Sequence, residues 1–150
     1  MRTGVRFALD LGAARVGVAK CDASGLLASP FAVWPFTGLE DLAARINAEL
    51  MEWDPLEFVI GLPVDLRGAE GVAAAAVREQ AVFLASQVDR PVRLVDERMT
   101  TVTARRRLRE GGRDSRSDRA LIDAAAATVL LEHALESERS RGIEPGEVVG

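Results

Sequence analysis

The chain's pattern predicts an α/β fold: one mixed sheet with helices on both faces. Three observations carry that reading. At 150 residues and 16.1 kDa the chain is long enough for one core and too short for two well-buried ones. Three strand-like runs come first, and later strands then alternate with helical runs. One of the later runs, Phe58-Val59-Ile60, is apolar at every position, as expected of a central strand buried on both faces. Five strands are expected in all.

Each element has its own signal. Val5 to Leu9 is a short apolar strand ending at Asp10. Leu11-Gly12-Ala13-Ala14 reads as a tight turn, and Arg15 to Cys21 as the returning strand. Leu26 to Phe36 contains Pro30 and Pro35, which suits an edge strand, where a missing N–H is tolerated. Apolar residues at 39, 42, 43, 46, 50 and 53 have helical spacing, and Asp54-Pro55 stops that helix. The central strand leads into Gly61-Leu62-Pro63. Glu70 to Val88 is an alanine-rich helix, and Val92 to Val95 is the fifth strand, with Asp96-Glu97-Arg98 just beyond it. Thr100 or Thr101 can cap a helix that runs to about Glu110, where Gly111-Gly112 stops it. Residues 112–118 read as a polar, flexible loop. Arg119 to Glu136 is an apolar helix that should pack on the sheet. The domain is therefore expected over 1–136, with 137–150 as a polar, flexible tail.

Composition narrows the chemistry. No apolar run approaches the roughly 18 residues of a membrane span, and no signal peptide is evident, so a cytoplasmic protein is expected. One cysteine, Cys21, excludes an internal disulfide, and with His133 as the one histidine a Cys/His zinc cage is nearly excluded. Cys21 reads as a small buried strand residue and His133 as structural. The chemical resource is carboxylates, of which there are 23. Net charge is −4, yet Arg98 to Arg119 holds eight arginines against three acids, a local +5 that leaves −9 elsewhere. That asymmetry suits a polyanion, and it also suits a solvated arginine-rich face. With no tyrosine and two tryptophans, stacking of single-stranded bases is not favoured.

Three carboxylates stand out by position. Asp10 ends the first strand and Glu97 follows the last, so parallel central strands would bring both to one sheet edge. Asp123 sits in the apolar stretch Ala120 to Ala127, where a carboxylate needs donors or a cation. Three carboxylates without histidine suit a hard cation, Mg²⁺ or Mn²⁺. Each has a plainer reading: Asp10 as cap of the turn at Gly12, Glu97 as ion-pair partner of Arg98, and Asp123 as a helix N-cap.

Taken in order, Ala8-Leu9-Asp10-Leu11-Gly12 with Arg15-Val16-Gly17-Val18-Ala19, Val59-Ile60-Gly61-Leu62-Pro63 with Gly68 and Glu70-Gly71, Val95 to Thr101, and Ile122-Asp123 with Ala125-Ala126 form a pattern. It resembles the YqgF/RuvX family, whose fold is RNase H-like, over roughly residues 4–136. Actin-like and sugar-kinase ATPases share the opening motif, but their second lobe has no room here. The resemblance implies a metal-dependent nuclease, a hydrolase acting on ester bonds. Its substrate would be the 5′ end of pre-16S ribosomal RNA in ribosome biogenesis, or branched DNA as a Holliday junction resolvase. A non-catalytic RNA-binding assembly factor is a third reading. The family's acidic triad falls on Asp10, Glu97 and Asp123, as ligands of two Mg²⁺ or Mn²⁺ ions with Asp10 bridging. Arg98, Arg105, Arg106, Arg109, Arg113, Arg116 and Arg119 would contact nucleic-acid phosphates. Gly12, Gly61, Leu62 and Pro63 would shape the cleft. Partners would be nucleic acid and ribosome assembly particles, with no membrane, and the protein would be a monomer or homodimer. The chain departs from the family at Ala14 (commonly Lys), Cys21 (usually Ser), Asp65 (frequently Asn), and at Asp114 and Asp118 in the basic loop.

Overall fold

The computed structural model describes residues 1–98 and 115–150, with the side chains of the last helix described from Ala124 onward. Strands β1 (Arg6–Leu11), β2 (Arg15–Cys21) and β3 (Ala28–Pro35) are followed by α1 (Leu39–Trp53), β4 (Glu57–Leu62), α2 (Val72–Gln87) and β5 (Val92–Asp96). The chain closes with α3 (Ser115–Arg141) and β6 (Glu147–Val149). The sheet order is β3-β2-β1-β4-β5-β6, with β1, β4 and β5 parallel and the other pairs antiparallel.

The expected strands and the first two helices fall close to where the pattern puts them. β4 is buried at all six positions and lies between two parallel neighbours. β3 is an edge strand, and its register against β2 shifts between Val18 and Ala19. α1 ends as Asp54 takes a left-handed conformation (φ 47°) and its N–H bonds the Leu50 carbonyl at 3.0 Å.

Three expectations change. The sheet has six strands rather than five, because the C-terminal residues pair with β5 (Val92 opposite Val149). Helix α3 continues past Glu136 to Arg141, where a tail was expected. It also begins earlier than Arg119, so residues 115–118 of the expected loop are helical. Ion pairs to the sheet explain the C-terminal change. Glu138 accepts from Arg6 Nη2 and Arg2 Nε, each at 2.6 Å, and Glu144 meets Arg93 at 3.0 Å. The helix expected over 100–110 lies outside the described residues.

Two apolar cores separate the layers. Phe7, Leu9, Val18, Phe58, Ile60 and Leu94 face α1 and α2. Ala8, Ala19, Cys21, Val59 and Val95 face α3, against Ala127, Leu130, Leu131 and Ala134. Small sheet residues on the second face let α3 pack close. Among the described residues no helix is long and apolar enough to cross a membrane.

Candidate active site at the carboxyl edge of the sheet

Side chains alternate along a strand, so the residues that follow Ala8, Val59 and Val95 by two share the α3-facing side. Those residues are Asp10, Gly61 and Glu97. Because β1, β4 and β5 run parallel, all three arrive at one edge of one face. Glu97 is held there by its main-chain N–H, which donates to the Leu62 carbonyl at 3.2 Å and extends the ladder one residue past β5.

The electrostatics of that edge are unfavourable to negative charge. Burial pushes the Glu97 carboxyl up to about 7, and the charges of Asp10 and then Asp96 add to the effect. Asp10 and Glu97 are thus near enough to sense each other's ionisation. An acid in this setting is poised to give up its proton when positive charge arrives.

Helix α3 carries the third carboxylate. Ala127 shares a buried cluster with Ala8 on β1. Asp123 lies one helical turn before Ala127, and Asp10 lies one strand repeat beyond Ala8. The helix begins at Ser115, so Asp123 is interior and is not an N-cap. Its side chain lies outside the described residues. Among the described residues, no three Asp, Glu, His or Cys side chains form a metal-holding group.

The other expected residues divide. Arg98 donates from Nε to Asp96 Oδ2 at 2.7 Å and from Nη1 to the Leu66 carbonyl at 3.4 Å, tying the β4–α2 loop to the end of β5. Arg105, Arg106, Arg109 and Arg113 lie outside the described residues, as do the side chains of Arg116 and Arg119 in α3. Gly12 closes the β1–β2 turn, its N–H bonded to the Arg15 carbonyl at 2.9 Å, and a Cβ there would come within 2.6 Å of that oxygen. Leu62 packs in the core under α1 and α2, so it does not line the α3-facing side. Pro63 opens the loop that follows β4. Cys21 is buried, its Sγ accepting the Arg6 N–H at 3.1 Å, and burial pushes its thiol up. His133 is exposed on α3.

A second charged cluster escaped sequence reading. At the opposite, amino end of the same face, Arg2 and Arg93 converge on Glu57 Oε1 at 2.7 and 3.1 Å, and Arg6 pairs with Glu138. Charged residues at strand starts look solvated in sequence. The alternation that puts Arg6 and Glu57 on the α3 side, and their register as neighbours, was the available signal.

This fold is RNase H-like, and two solved structures share it. Thermus thermophilus RuvC matches with a TM-score of 0.55 at 16% identity, covering 94% of this chain and 99% of that one. T. thermophilus RuvC in complex with Holliday junction substrate matches with a TM-score of 0.57 at 18% identity, covering 95% and 99%. The particular family follows from the sequence itself: residues 4–137 match RuvX, described as Holliday junction resolvase, and the chain belongs to that family. A relative from Streptomyces coelicolor is 49% identical over 99% of this chain and 90% of its own length, and bears the name "Putative pre-16S rRNA nuclease". A Thermobifida fusca relative with the same name is 50% identical, over 99% of this chain and 98% of its own.

Proposed function

We propose that this RuvX-family chain is a divalent-metal-dependent nuclease of the cytoplasm that processes the 5′ end of pre-16S ribosomal RNA. The observation that carries the reading is the pairing of Asp10 with a Glu97 carboxyl that burial and acidic neighbours push up to about 7. Such an edge fits Mg²⁺ or Mn²⁺. Its donors are hard carboxylate oxygens, and cationic charge relieves the repulsion that raises Glu97. Asp10, Glu97 and Asp123 would hold the metal, two ions in the full site. When bound, the metal supplies an activated water and neutralises charge on the phosphate.

The chain's own residues do the rest. Glu97 would lose its proton to become a ligand beside the charged Asp10. The three parallel strands hold them fixed, so little ordering is left for substrate binding to accomplish. Asp96 holds the Arg98 guanidinium, and with it the loop carrying Leu66. Arg98, Arg105, Arg106, Arg109, Arg113, Arg116 and Arg119 would supply phosphate contacts, which position a strand without reading its sequence.

Cleavage of a four-way DNA junction is the second reading, favoured by the description of the matching family. It would call for a homodimer, since two strands must be cut symmetrically; RNA processing is open to a monomer. The experiment is Mn²⁺-dependent cleavage measured side by side on precursor 16S RNA and a four-way junction. Preferential cleavage of the RNA supports the proposal, and preferential cleavage of the junction replaces it with the second reading. No cleavage of either, in protein shown to be folded, would leave a non-catalytic assembly role.

A further inference from the structure

Asp10 and Glu97 do not stand on neighbouring strands. β4 lies between β1 and β5. Adjacent strands are about 4.8 Å apart, so the two backbones are separated by roughly 10 Å. For the carboxyls to meet, at least one must cross over β4. Continuing the register in which Leu9 pairs Ile60 puts Gly61 beside Asp10, while Gly61 itself pairs Val95. The residue to be crossed is therefore a glycine.

The geometry points to Gly61 as a positioning residue, whose missing side chain lets the Glu97 carboxyl lie across β4 toward Asp10. A Cβ at Gly61 would overlap Glu97 Oε2 and come within 3.2 Å of Glu97 Cβ and Cδ. All three of its nearest atoms belong to Glu97. Backbone conformation gives no competing reason for glycine, because Gly61 is absent from the positive-φ residues and lies within regular strand. Glycine inside a strand weakens it, and close approach of another group is the common compensation. On the other side of Asp10 the register partner is also a glycine, Gly17, so the acid is flanked on both adjacent strands by residues without side chains.

This inference rests on the nuclease reading, and a double-mutant cycle separates the two. Gly61→Ala, Glu97→Ala and the double variant are compared with the parent in three measurements. These are Mn²⁺ affinity by calorimetry, cleavage of precursor RNA and of a four-way junction, and thermal unfolding without metal. The expected result is a Gly61→Ala variant that folds, binds Mn²⁺ at least tenfold more weakly and cleaves at least a hundredfold more slowly. In the Glu97→Ala background the same substitution should change Mn²⁺ affinity by less than twofold, because the carboxylate it displaces is gone. If Gly61→Ala fails to fold, Glu97→Ala in the same chain should restore folding, and failure to do so overturns the inference. Equal losses in both backgrounds, or a Gly61→Ala variant with the parent's affinity and rate, overturn it as well. If the parent neither binds Mn²⁺ nor cleaves, the nuclease reading fails instead. The inference is then judged by unfolding alone: Gly61→Ala must lower Tm in the parent by clearly more than it does in Glu97→Ala.

Discussion

At the amino end of the sheet, Arg6, Glu57 and Arg93 stand on the face that α3 covers. At the carboxyl end of that face, about 13 Å along β1, stand Asp10 and Glu97. Both ends contain buried or half-buried acids, and their neighbours differ. Glu57 and Glu138, 1% and 3% exposed, are each met by two arginines. Glu97 is met by the charges of Asp10 and Asp96. One end uses its charges to hold the chain's termini to the sheet; the other brings carboxyls together. Carboxyls gathered with a raised pKa at the edge of a sheet mark a candidate ligand site.

Asp10→Asn is the sharpest way to break the comparison. Removing that charge should reduce cleavage at least a thousandfold, while circular dichroism and metal-free Tm stay at or above the parent's, because repulsion with Glu97 is relieved. A variant that unfolds, or that cleaves like the parent, would return Asp10 to its plainer role as a turn cap.

Glu138→Ala tests the other end. It leaves Arg6, 2% exposed, without its carboxylate partner, and breaking a buried pair typically costs about 3–5 kcal/mol. Urea unfolding should show a loss of that order, with cleavage per folded molecule retained. A loss of activity at full stability would mean that the amino end serves the reaction.

A smaller effect distinguishes the ends by pH. The folded-state pKa of Glu97 is raised from 4.5 to about 7. The folded state therefore binds the proton more tightly, so the stabilisation is full below pH 4.5 and is lost as pH rises through 7. Glu97→Gln removes that loss. Without metal, the variant should be more stable than the parent by roughly 2 kcal/mol at pH 8 and equal to it at pH 4. Equal stability at both values would show that the edge is not electrostatically opposed.

Smallest of all is the effect expected at Arg78, which bridges Glu70 and Glu147 at the surface, both at 2.6 Å. Exposed pairs contribute about 1 kcal/mol or less, so Arg78→Ala should shift the urea midpoint slightly and leave cleavage unchanged.

Much of this contrast was legible in the sequence on one side only. Short apolar runs place β1, β4 and β5, and strand-end position singles out Asp10 and Glu97. The clearance at Gly61 was not legible, since a glycine before Leu62-Pro63 reads as a turn until the strand register is known. The amino-end cluster was hidden for a different reason. Arg6 and Glu138 are 132 residues apart, and Glu138 sits in a polar stretch that looks solvated until α3 turns it onto the sheet. Local pattern reports which face a residue takes, and long-range charge pairing appears only when two faces meet. That is also why a tail was expected where α3 and β6 stand.

The most direct test is the shift in Tm produced by Mn²⁺ in the parent, Asp10→Asn and Glu138→Gln, measured in parallel. A ligand that binds only the folded state at a hundred times its Kd adds about 2.7 kcal/mol, readily seen as a rise of several degrees. The account predicts that rise in the parent and in Glu138→Gln from its lower starting Tm, and no rise in Asp10→Asn. A full Mn²⁺ response in Asp10→Asn, or its loss in Glu138→Gln, would contradict the assignment of the carboxyl edge as the metal-binding end.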